Sequence, residues 1–372
     1  MKLMNKKPTR VVVKVGTSSL VSDGGSLDRE KMNSLVVQLA ALRQQGRDVI
    51  LVSSGAIRAG MERLGLAARP RNIPEQQASA AIGQGYLMQT YAELLAVYDI
   101  IPAQVLLTRD DFHDRVRYLN ARNTLYTLLR FGALPIVNEN DTVAVDEIRF
   151  GENDTLSALV AASVDADLLL NLSDVDGLFD GDPRAGAPCR LIEEVKHITP
   201  EIECLAGGAG DCGSGGMKSK IEAAKIATNS GVRLVIANAA RPNVILDAAE
   251  LRKVGTVFLA NKVGLTHRKR WIAFGRRVKG SIIINEGAKR MLAEAGKSLL
   301  PVGVVECRGS FGIGDLVEVL DENGSEVARG FTNYSCDEIA RIKGKRSSDI
   351  ERILGYKDFD EVIHRDNLVL GI

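Results

Sequence analysis

The chain has 372 residues, enough for about two domains of ordinary size, and 45% of them are hydrophobic, which supports large cores. Its 48 lysines and arginines almost cancel 47 aspartates and glutamates, so a formal charge of +1 gives no global field for nucleic acid or an anionic membrane. The five cysteines are odd in number and form no CxxC pair, and the four histidines are isolated, so neither a disulfide framework nor a metal site is indicated. The basic segment Met1–Arg10 leads into a short strand, and no long apolar run follows; the expectation is a soluble, cytoplasmic protein with no membrane association.

In chain order, Val11-Val12-Val13-Lys14-Val15, closed by Gly16, predicts a buried strand. Helical periodicity follows over 28–45 through Met32, Leu35, Val36, Leu39 and Leu42, ending at Gly46. Val49–Val52 is the next strand and runs into Ser53-Ser54-Gly55. A long helical pattern covers about 75–98, and strands at Val105–Leu107 and Leu134–Val137 surround a helix at about 118–131. Leu168–Leu172 is a strand ending at Ser173-Asp174, and a helix starting near Lys218 precedes the strand Leu234–Ala237. Repeated alternation with unbroken apolar strands predicts an α/β fold, a largely parallel sheet covered on both faces.

The character changes after about residue 265. A basic linker at 266–279 leads to short β-like runs at 281–284, 302–305, 316–320 and 326–330, with small helices near 286–295 and 337–341. The expected organisation is a catalytic domain at 1–265, the linker, a small mainly-β domain at 280–358 and a C-terminal tail at 359–372.

Gly213-Ser214-Gly215-Gly216-Met217-Lys218-Ser219-Lys220 suits phosphate: glycines let backbone N–H groups approach closely, a helix start adds partial positive charge, and lysines add full charges. The P-loop pattern fails at Met217, where glycine is required. Gly208-Ala209-Gly210-Asp211-Cys212-Gly213 meets the dinucleotide pattern formally but opens no helix, and reads as chance. On composition alone, 207–216 is a surface loop; the adjoining lysines and helix favour the phosphate site.

Ligands in open parallel sheets sit beyond the carboxyl ends of strands, and several distinctive segments share that address. Lys14 is a lysine within an apolar strand; it is either an edge residue reaching solvent or, with Gly16-Thr17-Ser18 following, a phosphate ligand. Ser53-Ser54-Gly55 reads as a helix cap and an anion site at once. Asn138-Glu139-Asn140-Asp141 and Gly151-Glu152-Asn153-Asp154 are acidic-amide clusters able to hold a zwitterionic amino acid, although Asp154 is also placed to cap a helix.

These segments, in this order, resemble the glutamate 5-kinase family: an amino-acid-kinase-like αβα sandwich, followed by a PUA-like module that includes Gly312-Ile313-Gly314-Asp315-Leu316-Val317. The resemblance implies ATP-dependent phosphorylation of the γ-carboxylate of L-glutamate to L-glutamate 5-phosphate, with Mg²⁺, as the first step of proline biosynthesis. It implies that Lys14, Lys220 and Asp154 are catalytic, the aspartate positioning the lysines. Ser54, Asn138, Asp141 and Asn153 would hold glutamate. Lys14, Gly16, Ser173, Asp174 and the segment Ser214, Gly215, Gly216, Met217, Lys218, Ser219 and Lys220 would line the ATP site, with no protein metal ligand. The family often has Asp where Glu152 stands, and Thr at the positions of Ser214 and Ser219; the departures keep charge or hydroxyl. Feedback inhibition by proline, a homodimer or homotetramer, and hand-off of the labile acyl phosphate to glutamate 5-phosphate reductase are further implications. The alternatives are another enzyme of the same kinase fold, acting on aspartate, acetylglutamate, carbamate or a nucleotide, and RNA binding by the PUA-like domain. Basic patches at 268–279 and 341–346 suit a phosphate backbone and equally suit a solvated face, since residues 266–372 are nearly balanced in charge.

Overall fold

The computed structural model describes residues 7–22, 24–143, 153–181, 188–207, 215–261 and 278–370. They divide into two compact units, the first over the described residues of 7–111 and 119–261 and the second over those of 112–118 and 278–370.

Over residues 7–261 the elements run β1 (Arg10–Val15), α1 (Arg29–Gln44), β2 (Asp48–Ser53), α2 (Ala56–Leu64), α3 (Ile73–Ala96), β3 (Pro102–Leu107), α4 (Arg109–His113), α5 (Arg115–Arg130), β4 (Leu134–Glu139), α6 (Asn153–Ser163), β5 (Leu168–Ser173), β6 (Glu194–Val195), α7 (Pro200–Gly207), α8 (Gly215–Asn229), β7 (Arg233–Asn238), α9 (Val244–Ala249) and β8 (Thr256–Phe258). The strands order as β3-β4-β2-β1-β5-β7-β8-β6. Neighbours pair in parallel except β7 and β8, which are antiparallel. Largely parallel describes the sheet; the short strands β6 and β8 add the mixed end that periodicity did not reveal.

Side chains alternate along β1. Val11, Val13 and Val15 join one core cluster with Met32, Leu35, Val36 and Leu39 of α1, so Lys14 falls on the opposite face. That face is covered by α6, which contacts β1, β2, β4 and β5 and is buried at every residue from Asp154 to Ser163. Local signals set the helix starts. Asp28 accepts from the N–H groups of Glu30 and Lys31 to cap α1, and Asn72 caps α3 through Glu75 N. Gly55 enters α2 at φ +103°, a conformation that favours glycine. Gly60 and Gly83 bring α2 and α3 into backbone contact: a Cβ on Gly83 would lie 1.9 Å from the Ala56 carbonyl oxygen.

The second unit comprises β9 (Gly280–Ile284), α10 (Glu286–Ala295), β10 (Val304–Gly309), β11 (Leu316–Asp321), β12 (Glu326–Phe331), α11 (Cys336–Ile342), α12 (Ile350–Leu354) and β13 (Leu368–Leu370). Its sheet orders as β10-β9-β11-β12-β13, with β9 and β11 parallel and the other pairs antiparallel. The segment expected as a tail at 359–372 therefore supplies the fifth strand. Val362, Ile363 and Leu368 are buried in the second core with Ile282, Val317 and Tyr334, and this apolar burial is what draws the segment into the sheet.

Candidate active site

The ends of β1 and β5 and the starts of α6 and α8 meet around one carboxylate. Asp154, in the first turn of α6, is 3% exposed, while Lys14 is 6% and Lys220 7% exposed. Charged groups so buried persist when paired, and here each is. Asp154 Oδ1 lies 2.5 Å from Lys14 Nζ and accepts from Asn171 Nδ2 at 2.9 Å. Asp154 Oδ2 lies 3.2 Å from Lys220 Nζ and accepts from Ser219 Oγ at 2.7 Å. Lys220 Nζ also donates to the Gly216 carbonyl at 3.1 Å, which fixes its side chain against the first turn of α8.

Asn171 enters through register: on β5 it pairs with Lys14 on β1, so its amide lies alongside the lysine stem. Burial pulls the Lys14 pKa below its ordinary value, opposed by the Asp154 charge and reinforced by the Lys220 charge. Burial alone would raise the Asp154 pKa, but the Lys14 and Lys220 charges outweigh it and hold the carboxyl well below the usual carboxylate range. Asp154 is thus ionised and pairs with both ammonium groups, while Asp174 adds a smaller attraction for Lys14.

A network of amides lies beside this hub. Asn153 Nδ2 donates to Ser54 Oγ at 2.8 Å, to Asn138 Oδ1 at 3.1 Å and to the Ser53 carbonyl at 3.3 Å. Asn138, at the end of β4, donates in turn to Gln84 Oε1 on α3 at 2.9 Å. Ser53 and Tyr91 share a buried hydrogen bond of 2.9 Å. Among the described residues, Asn153 Oδ1, Gln84 Nε2 and Asn171 Oδ1 are buried without a hydrogen-bond partner. Orphan acceptors and an orphan donor buried in and beside this network are costly without partners and complementary to a ligand that brings both kinds of group.

The structure thus joins Lys14, Asp154, Ser219 and Lys220 in one cluster and Ser54, Asn138 and Asn153 in another, the two linked through the adjacent residues Asn153 and Asp154. Gly16 leaves the Lys14 ammonium open on its flank: a Cβ there would lie 3.7 Å from Nζ. Ser173 Oγ donates to Asp174 Oδ1 at 3.0 Å at the end of β5. Asp141 follows β4 in a turn and is half-buried. Gly215 and Gly216 open α8, with Met217 half-buried and Lys218 exposed. Ser214, Gly213, Glu152 and Gly151 lie outside the described residues, as does the glycine-rich stretch 208–213. Sequence reasoning missed Asn171 and Gln84, and it named Ser53 only as part of the Ser53-Ser54-Gly55 cap and anion site. Asn171 carried a signal, as an amide interrupting the apolar strand Leu168–Leu172; Gln84 sits in an ordinary helical pattern and carried none.

The sequence pattern of the amino acid kinase family matches residues 9–238, and that of the PUA domain matches residues 280–354. The chain belongs to the amino acid kinase family. Among curated relatives it is similar to the glutamate 5-kinase of Caldanaerobacter subterraneus subsp. tengcongensis, 53% identical over 362 residues and 97% of each chain. It is also similar to that of Moorella thermoacetica, 51% identical over 362 residues, 97% of this chain and 96% of the relative. It is a kinase of the kind these relatives represent, with a PUA domain behind the catalytic one. Among solved structures, carbamate kinase from Giardia lamblia bound to AMP-PNP shares the fold, with a TM-score of 0.51, 18% identity, and coverage of 68% of this chain and 99% of that one. No helix among the described residues is long and apolar enough to cross a membrane.

Proposed function

We propose that this kinase transfers the γ-phosphoryl group of ATP to the γ-carboxylate of L-glutamate, giving L-glutamate 5-phosphate. The observation that carries the reading is the buried Lys14–Asp154–Lys220 cluster beside the Ser54–Asn138–Asn153 amides, in a chain about half identical to glutamate 5-kinases. In this reading the amides, with Asp141, hold the zwitterion: the free Asn153 Oδ1 takes an ammonium N–H, and side-chain donors take the carboxylate. Lys14, Gly16, Ser173, Asp174 and residues 214–220 hold the nucleotide.

The acceptor carboxylate is already a nucleophile at neutral pH, so the reaction requires no strong general base. Catalysis then rests on aligning the two substrates and on neutralising charge over the equatorial oxygens of the moving phosphoryl. Lys14 and Lys220 supply that charge, and Asp154 fixes where both ammonium groups point. Among the described residues no group of three or more His, Cys, Asp or Glu side chains is placed to hold a metal ion. Mg²⁺ would then be held mainly through the nucleotide phosphates, with Asp174 of the proposed ATP site as a carboxylate candidate. When bound, Mg²⁺ supplies further neutralisation of phosphate charge.

The same reading makes the reaction the first step of proline biosynthesis and proline a competitor for the amide site, since it presents the same ammonium and carboxylate pair. It assigns residues 1–265 to catalysis and 280–358, extended by β13, to the PUA domain, in a cytoplasmic homo-oligomer. The test is ATP turnover with L-glutamate, L-aspartate and N-acetylglutamate side by side, with hydroxylamine trapping any acyl phosphate. Hydroxamate from L-glutamate alone is expected; equal or greater yield from either rival acceptor overturns the assignment.

A further inference from the structure

The second unit contains a thiol pair that the kinase reaction leaves unused. Cys307 lies on β10 and Cys336 is the first residue of α11. Their sulfurs are 3.3 Å apart, and the Cys307 thiol donates to the Cys336 carbonyl oxygen at 3.2 Å. Both are free and half-buried, packed against the edge of the second core. A disulfide has its sulfurs about 2.05 Å apart, so closure needs an approach of about 1.3 Å. The supporting elements can give that much: β10 is an edge strand paired with β9 alone, and α11 is seven residues long. The residues are separated by 29 positions, so no local cysteine motif announces them.

We propose that Cys307 and Cys336 are a redox pair that exchanges with small-molecule disulfides and closes reversibly into a bond tying β10 to α11. In the first step the Cys336 thiolate attacks one sulfur of the small disulfide; its S–S bond breaks, a mixed disulfide forms on Cys336, and the departing thiolate takes up a proton. In the second step the Cys307 thiolate attacks the Cys336 sulfur, and the second small thiol leaves. Two protein thiols lose two electrons, one external disulfide gains them, and the protons pass to the two released thiols. The order follows from the surroundings. The Cys307 thiol is held protonated by its hydrogen bond to the Cys336 carbonyl oxygen, and burial also pushes it up, so Cys307 is the poorer first attacker. Capping Cys336 in the mixed disulfide makes its sulfur, 3.3 Å from that of Cys307, the electrophile for the second step.

The test uses the full-length protein, equilibrated across ratios of oxidised to reduced glutathione, then alkylated, digested and analysed by mass spectrometry. The expected result is a Cys307–Cys336 linked peptide, two hydrogens lighter than the reduced pair, rising with the ratio and lost on reduction. Closing this loop should also raise the unfolding midpoint by on the order of 5 °C. Cys307→Ser should trap glutathione on Cys336, while Cys336→Ser should leave Cys307 unmodified. Full alkylation of both cysteines at every ratio overturns the proposal, as does linkage to Cys189, Cys204 or Cys212 instead. Glutathione trapped on Cys307 in Cys336→Ser overturns the assigned order. Kinase turnover is not the readout, so the outcome is independent of the proposed reaction.

Discussion

Asp154→Asn is the most informative perturbation of the site, because it removes one charge with almost no change of shape. In the native protein the carboxylate meets Lys14 at 2.5 Å, Ser219 at 2.7 Å, Asn171 at 2.9 Å and Lys220 at 3.2 Å. An asparagine oxygen still accepts from Lys14 and Asn171, but its NH₂ then faces the Lys220 ammonium, which can only donate, while Ser219 can turn to accept and give its proton to the Gly216 carbonyl. Removing one partner of a buried ion pair costs about 3–5 kcal/mol, because the other charge stays buried. Against a stability of about 5–15 kcal/mol, the variant should fold and melt earlier. Its chemistry should suffer more. Lys14, whose pKa burial already lowers, loses the charge that opposes that shift, and Lys220 loses the carboxylate that aims it. Removing a single donor to transition-state charge costs about 10²–10³ in kcat, and with both lysines affected the expected loss is at least about 10³. Hydroxylamine-trapped turnover at saturating ATP and glutamate, run below the variant's melting range, measures this. Lys14→Met added to Asp154→Asn should restore part of the stability, since apolar side chains often replace buried charges without penalty, and should restore no activity. A kcat within about threefold of wild type, or a double variant no more stable than Asp154→Asn alone, would refute the account of the hub.

Asn153→Ala deletes the group that joins Ser54, Asn138 and the Ser53 carbonyl, and should raise KM for glutamate about 10–100-fold with a smaller change in kcat, as expected for hydrogen bonds to a charged substrate; unchanged glutamate saturation would remove Asn153 from the substrate site. Gly83→Ala places a Cβ 1.9 Å from the Ala56 carbonyl oxygen, so α2 and α3 must separate, and a destabilisation of about 1–3 kcal/mol or more should appear in thermal unfolding. The pH dependence of stability has a definite sign at Asp154. Its folded pKa lies below the ordinary 3.8, so the stabilisation is present above that value and fades as pH falls below it. Urea unfolding between about pH 5 and pH 3 should therefore show a steeper acid loss in wild type than in Asp154→Asn, and parallel curves would contradict the charge assignment.

The parts of the fold visible in the sequence were those that carry a period. β1, β2, β4, β5 and β7 are apolar runs buried on both faces, and α1 shows its stripe at Met32, Leu35, Val36 and Leu39. β6 and β8, of two and three residues, are too short for any period; pairing with the sheet is what makes them strands. β13 escaped notice for the same reason. The site was legible where a residue broke its surroundings, as Lys14 does in its valine run. The residues alone did not show how that anomaly is resolved; the family resemblance gave Asp154 the task of positioning the lysines, and the topology supplies the physical reason. A lysine buried on β1 needs a counter-charge, and the sheet offers two in-register neighbours: Val52 on β2 is apolar, and Asn171 on β5 is neutral. Neither neutralises an ammonium; the paired charge comes from the helix laid across that face, with a smaller attraction from Asp174 just beyond β5. There α6 presents Asp154 in its first turn, at the point where α8 delivers Lys220 from the other side. Asp154, for which the residues alone left a helix-cap reading open, is therefore the one whose charge pairs both buried lysines.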